Sequence, residues 1–142
     1  MKKILLLFVA TISFCITSCG DDDDDGTVQD PLVGSWQLSQ EFENGVEIAS
    51  DPCDLEGVLT FRINGTYEGT FFEDDGTGVC VQLVEETETG TWRKTGNNIY
   101  TFIVEGDTIT DEITFSGNTF SIEYSDTFGD QTTEYRDVYI KI

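Results

Sequence analysis

Leu59-Thr60-Phe61-Arg62-Ile63-Asn64-Gly65-Thr66-Tyr67-Glu68-Gly69-Thr70-Phe71 alternates apolar and polar residues on both sides of an Asn-Gly pair. A side-chain period of two belongs to a strand with one buried face, and Asn-Gly is a strong hairpin signal because both residues accept a positive φ. The stretch therefore predicts two antiparallel strands. Leu59, Phe61 and Ile63 share one face of the first strand, and Tyr67, Gly69 and Phe71 share one face of the return.

The same pattern repeats outward at short spacing. Glu73 to Gly78 is a turn, and Val79 to Lys94 is long for one strand, so Gly90 inside it predicts a bulge or bend. Turns at Gly96-Asn97-Asn98, Gly106-Asp107, Gly117-Asn118 and Gly129-Asp130 separate further strands. One carries Tyr100, Phe102 and Val104, and the next carries Ile109, Ile113 and Phe115. The following strand sets Phe120, Ile122 and Tyr124 against water-facing Ser121, Glu123 and Ser125. In the last strand Arg136, Val138, Ile140 and Ile142 share a face. With the strand holding Trp36 and Leu38 this makes about eight strands, and no segment sustains a 3.6-residue period. The expected fold is all-β, an antiparallel up-and-down β-barrel, with a β-sandwich as second choice. Residues 40–56 fit either a small hairpin around Asn44-Gly45 or a long first loop.

Composition agrees with one folded domain. In 142 residues, 38% are hydrophobic and 12% aromatic, too many for a disordered acidic chain. The 28 Asp and Glu against 7 Lys and Arg give a net charge of −21. Such a polyanion has no basic stripe to meet phosphates, so nucleic acid is not an expected partner. There is no histidine, which excludes His-based triads, His acid–base chemistry and imidazole metal ligands. Carboxylate pairs are abundant, yet nothing marks one above another, and the glycines fall at turns rather than in phosphate-cradling motifs. The chain is accordingly read as non-enzymatic, with no catalytic residue, metal or cofactor.

Lys2 and Lys3 precede an apolar stretch from Ile4 to Ile16 that is too short to span a bilayer and is laid out like a secretory signal. The tetrapeptide Ile16-Thr17-Ser18-Cys19 resembles the bacterial lipobox. That resemblance implies a signal peptide over 1–18, a lipidated Cys19 and attachment to a membrane through its acyl chains. The run Asp21 to Asp25 cannot be buried, so 19–31 reads as a solvated tether and 32–142 as the folded domain. Acidic residues just after a lipidated cysteine resemble the export signal of Bacteroidota surface lipoproteins. This implies the outer membrane with the domain facing the cell surface; facing the periplasm is the alternative.

Gly34-Ser35-Trp36 opening the first strand resembles the Gly-x-Trp signature of lipocalins. A cysteine near the second strand, the hairpin Thr60 to Tyr67 and a second Gly-Thr-Trp at Gly90-Thr91-Trp92 are similar to the lipocalin-like lipoprotein domains of Bacteroidota. The resemblance covers 32–142 and implies a calycin-type barrel without implying a ligand. It also implies a late arginine packed over the first tryptophan, for which Arg136 is the candidate.

With Cys15 lost in the signal and Cys19 acylated, Cys53 and Cys80 remain, and in an exported protein they are expected to form a disulfide. Strands running alternately up and down put both at one end of the barrel. They put Trp36 and Trp92 at the other, where they plug it. A ligand would enter at the cystine end, whose acidic loops disfavour anions such as fatty acids. The expected inward set is Phe61, Tyr67, Phe71, Tyr100, Phe102 and Phe120. Eight strands enclose an interior that either is filled by such side chains or holds one small molecule. Two functions follow: a carrier of a small neutral or apolar ligand, or an interaction module with a filled barrel that meets a protein or polysaccharide through its acidic loops. The domain is expected to be monomeric.

Overall fold

The structure is a computed structural model that describes residues 29–142, so the expected signal over 1–18, Cys19 and the Asp21 to Asp25 run lie outside the described residues. Eleven strands are present among them: β1 Gly34–Glu43, β2 Val46–Ile48, β3 Val58–Phe61, β4 Thr66–Thr70, β5 Phe72–Asp74, β6 Cys80–Gln82, β7 Glu88–Lys94, β8 Ile99–Val104, β9 Asp107–Ser116, β10 Thr119–Phe128 and β11 Gln131–Lys141. Eight of these close an antiparallel barrel in the order β1-β3-β4-β7-β8-β9-β10-β11, with β11 returning to pair with β1. Closure gives every barrel strand a partner on both sides over part of its length. The other three are accessory: β2 folds back on the end of β1, and β5 and β6 form a separate two-stranded ribbon.

Local chemistry explains where the strands stop. Asn44 and Gly45 both take positive φ and turn β1 into β2, so residues 40–56 contain the small hairpin, followed by a loop with one 3-10 turn at Asp54–Glu56. The β3–β4 connection is longer than an Asn-Gly pair requires. Pairing ends at Phe61↔Tyr67, Arg62 N–H donates to Thr66 O, and Ile63 sits exposed at the tip instead of extending the inward face. The segment from Val79 to Lys94 is two strands separated by a 3-10 turn. Gly90 is no bulge, for it pairs in register with Tyr67 and Val104. A Cβ there would lie 2.5 Å from the Tyr67 ring, so the missing side chain is what lets that ring cross the barrel.

Strand alternation sorts the core. Leu32, Trp36, Tyr100, Ile113 and Phe120 are all but fully buried, and Val33, Phe61, Tyr67, Trp92 and Phe102 complete the cluster. Burying each such side chain contributes about 2 kcal/mol or more. On β11 the inward residues are Tyr135, Asp137, Tyr139 and Lys141; the face with Arg136, Val138, Ile140 and Ile142 looks out, and Tyr139 packs on the core.

One irregularity matters for the site. The β1–β11 register shifts by a residue between Leu38 and Gln40, where a bulge lets Ser39 Oγ donate to Val138 O. Beyond it the inward parity of β1 changes from even to odd. Glu41, opposite Asp137, therefore turns inward, and Phe42, opposite Arg136, turns outward.

Candidate functional site

The two ends of the barrel differ. At the end where β1 begins, Trp36 Nε1 donates to Leu32 O at 2.8 Å and Trp92 Nε1 donates to Arg62 O at 3.1 Å. Asp30, within the segment expected to be a tether, accepts the Tyr100 hydroxyl at 2.8 Å and the Leu32 N–H at 3.0 Å. Both indoles thus plug this end, as their positions in the alternation predict. Four of the five cations among the described residues belong here as well: Arg62, Arg93, Lys94 and Lys141.

Arg136 does not cover the first tryptophan. Its guanidinium lies 4.0 Å from the centroid of the Phe42 ring on the outer wall, toward the other end. Lys141 stands over Trp36 instead, with Nζ 5.0 Å from the ring centroid and donating to Val33 O at 2.8 Å. The reason is register: Trp36 pairs with Lys141, and Arg136 lies five residues earlier on β11 with opposite parity. Arg136 Nε is buried without a hydrogen-bond partner among the described residues. It borders an outer hollow of about 440 Å³ together with Phe42, Glu123, Tyr124, Glu134 and Tyr135.

The disulfide joins Cys53 and Cys80 across 27 residue positions at the opposite, open end. It ties the loop before β3 to the β5–β6 ribbon, and Asp51 Oδ1 accepts the Cys53 N–H at 2.8 Å.

Within the barrel, the six expected inward aromatics divide. Tyr100 and Phe120 belong to the sealed lower half, where Trp36 meets Phe120 edge-on at 4.7 Å and Trp92 packs against Tyr100 at 6.1 Å. Phe61, Tyr67 and Phe102 form a ring cluster with mutual centroid distances of 5.7, 5.9 and 6.1 Å, and its upper surface is the floor of a recess. This recess, about 150 Å³, also has Leu59, Val104, Ile109 and Ile122 on its walls, with Glu88 and Asp111 at its margin. Phe71 lines a second recess of about 170 Å³ with Leu38, Val58, Leu59, Phe72 and Tyr139, margined by Glu41 and Asp54. Leu59 is common to both. Each is smaller than the roughly 300 Å³ at which pockets begin to enclose drug-sized molecules.

None of the inward carboxylates belongs to the expected inward set. Glu41, Glu88, Asp111 and Asp137 occupy four barrel strands and are half-buried near the mouth. Burial pushes the Asp111 carboxyl above its usual range. Asp137 is raised by burial and then by Glu41 opposite it, partly offset by the Tyr124 hydroxyl. Asp54 is raised by burial, Asp51 and Glu41. The Tyr67 hydroxyl donates to Glu88, and burial with this contact raises the phenol. Tyr124 is pushed up to about 12 by burial and by Asp137. The signal that would have found Glu88 and Asp111 is parity with Trp92 and Ile113; for Glu41 the bulge hides it. Among the described residues no group of three or more Cys, Asp or Glu is arranged to hold a metal ion.

A sequence model of the family described as "Lipocalin-like domain" matches residues 32–122. Among solved structures, the chain is similar to the bovine lipocalin allergen Bos d 2. The two are 18% identical with a TM-score of 0.44, over 80% of this chain and 75% of that one. No curated protein sequence matches.

Proposed function

The chain belongs to the lipocalin-like domain family, and from that premise we propose that it is a lipid-anchored, non-enzymatic binding protein that takes one small neutral or apolar molecule at the open end of its barrel. The observation that carries this reading is the contrast between the two ends: aromatic rings seal one, while at the other Phe61, Tyr67 and Phe102 floor one apolar recess and Phe71 and Tyr139 line a second. Carboxylates around both recesses weigh against fatty acids and other anions. The recess volumes call for a compact ligand.

The anchor is read from Lys2, Lys3, the apolar stretch to Ile16 and the lipobox-like Ile16-Thr17-Ser18-Cys19. Residues 30–33 enter the barrel at the sealed, more basic end, so a tether from Cys19 would hold that end toward the lipid and leave the mouth toward solution. With Asp21 to Asp25 following Cys19, the proposed location is the outer membrane of a Bacteroidota-type envelope, facing the cell surface. Protease shaving of intact cells tests it: release of the domain is expected, and a protected domain would assign it to the periplasmic face.

Native mass spectrometry of the protein purified from its own envelope tests the ligand. A bound small molecule of uniform mass is expected. A bare chain under conditions that preserve a control ligand complex would overturn the carrier reading.

A second reading has its own support. Beyond Ile122, β10 pairs only with β11, so this hairpin projects past the rim, with Phe128 91% exposed at its tip. A projecting apolar tip on a well-filled barrel favours an interaction module that contacts a protein or polysaccharide. Co-purification of a macromolecule lost on Phe128→Ser would favour it.

A further inference from the structure

We propose that the apolar ligand taken at the open end carries one ammonium group on a short aliphatic or aromatic body, and is thus a small organic cation. The proposal rests on the reading of the open end as the ligand site; the two recesses make the site, and the carboxylates choose among ligands.

The apolar part is set by the recesses, which meet at Leu59 and are walled by Phe102, Ile122, Phe71 and Tyr139. The charge follows from what faces them. Glu41 and Asp54 stand at the margin of one recess, and Asp137 lies directly opposite Glu41 on the paired strand, both inward, where like charges repel. Glu88 and Asp111 stand at the margin of the other recess. No described cation answers these carboxylates. Lys141 and Lys94 are at the sealed end, Arg62 pairs with Glu68 at 2.7 Å, Arg93 is exposed on the β7 strand near that end, and Arg136, the neighbour of Asp137, points outward onto Phe42. The Tyr67 and Tyr124 hydroxyls reach Glu88 and Asp137, but a half-buried carboxylate without a counter-ion is unfavourable, and the repulsion between Glu41 and Asp137 is relieved when a cation enters. An ammonium also meets aromatic faces favourably, which a carboxylate does not. The mouth thus has the apolar walls, the ring faces and the negative charge without a counter-ion that an amine requires, drawn from several strands of a closed barrel.

The test titrates the full chain at neutral pH, by calorimetry, with hexylamine and phenethylamine. Each is compared with its alcohol, 1-hexanol or 2-phenylethanol, and hexanoate serves as the anion. Each amine is expected to bind at least about tenfold more tightly than its alcohol, as a charge-assisted contact requires, with hexanoate the weakest. Glu41→Gln and Asp111→Asn should each reduce amine affinity several-fold and leave the alcohols unchanged. Glu41→Gln removes a charge repelled by Asp137 and Asp111→Asn removes a half-buried charge, so the fold is retained, as a thermal melt verifies. Alcohols binding as well as amines would overturn the cation proposal while the site reading stands. So would an amine preference that survives both substitutions together. No binding by any of the five probes would overturn the site reading itself, and the proposal with it.

Discussion

Lys141 lies over the ring of Trp36, its ammonium 5.0 Å from the ring centroid and bonded to Val33 O, although the two residues are at opposite ends of the barrel sequence. Gly34 makes room for this: a Cβ there would come within 2.6 Å of Lys141 Cε. Lys141→Met should therefore lose the cation–π contact and a charged hydrogen bond, about 1–2 kcal/mol in urea denaturation, with a change in Trp36 fluorescence. Arg136→Ala should leave Trp36 fluorescence as it is. An indole response to Arg136→Ala, with none to Lys141→Met, would contradict the assignment.

The Cys53–Cys80 bond ties the loop before β3 to the accessory ribbon, and its main effect is on the unfolded chain. Replacing both cysteines by serine should cost about 3–4 kcal/mol for a closed loop of this size. Neither cysteine lies on a barrel strand, so the double variant is expected to keep its far-ultraviolet circular dichroism while its denaturation midpoint falls. An unchanged midpoint would show that the loop is already ordered without the bond.

Gly90→Ala puts a methyl group 2.3 Å from the Ile103 carbonyl oxygen and 2.5 Å from the Tyr67 ring. Because the nearest obstacle is backbone, the strands must separate, at a cost of about 3 kcal/mol. Gly69→Ala meets only the Phe71 and Leu59 side chains, at 3.0 and 3.1 Å, and should cost clearly less. Thermal melts of the two variants side by side check the order; equal losses would mean that the barrel wall is softer than its pairing implies.

Stability should rise on mild acidification. Asp111 and Asp137 are raised by burial, Asp137 next by Glu41, and Asp54 by burial and its acidic neighbours. A carboxyl whose folded pKa exceeds its unfolded value stabilises the fold when protonated. That contribution is complete below the unfolded value of 3.8 and is lost as pH rises through the folded value. The melting temperature is expected to be higher near about pH 5 than near about pH 7, contrary to the usual direction of acid destabilisation. Asp137→Asn should raise it at neutral pH and flatten the profile. A melting temperature that falls steadily on acidification would contradict the buried-carboxylate account.

Much of the fold is legible in single strands. The alternation at Leu59 to Phe71, at Tyr100 to Val104 and at Phe120 to Tyr124 depends only on which side of a pleat a residue meets, so it can be read locally. The cystine is legible because few thiols remain once the expected signal and Cys19, expected to be lipidated, are set aside. The turns at Asn44-Gly45 and Gly117-Asn118 follow from residues that tolerate positive φ. Where residues depart from the local pattern, a distant partner is involved. Ile63 leaves the strand because the β3–β4 turn closes at Phe61 and Tyr67. Gly90 serves a ring from another strand rather than a bend in its own.

The candidate site lies mostly on the far side of that line. By itself the sequence determines the class of fold, the number of barrel strands, the cystine, the acidity and the aromatic stock of the core, all of which rest on local periodicity or composition. Only the tertiary structure decides that Lys141 and not Arg136 covers Trp36, that Glu41 faces Asp137 inside the mouth, and that the rings fill one half of the barrel and floor the other. Each of these depends on the register between β1 and β11, strands at opposite ends of the domain. A shift of one residue at Ser39 reverses which side chains enter the barrel, and no local pattern in either strand records how the closing pair will align.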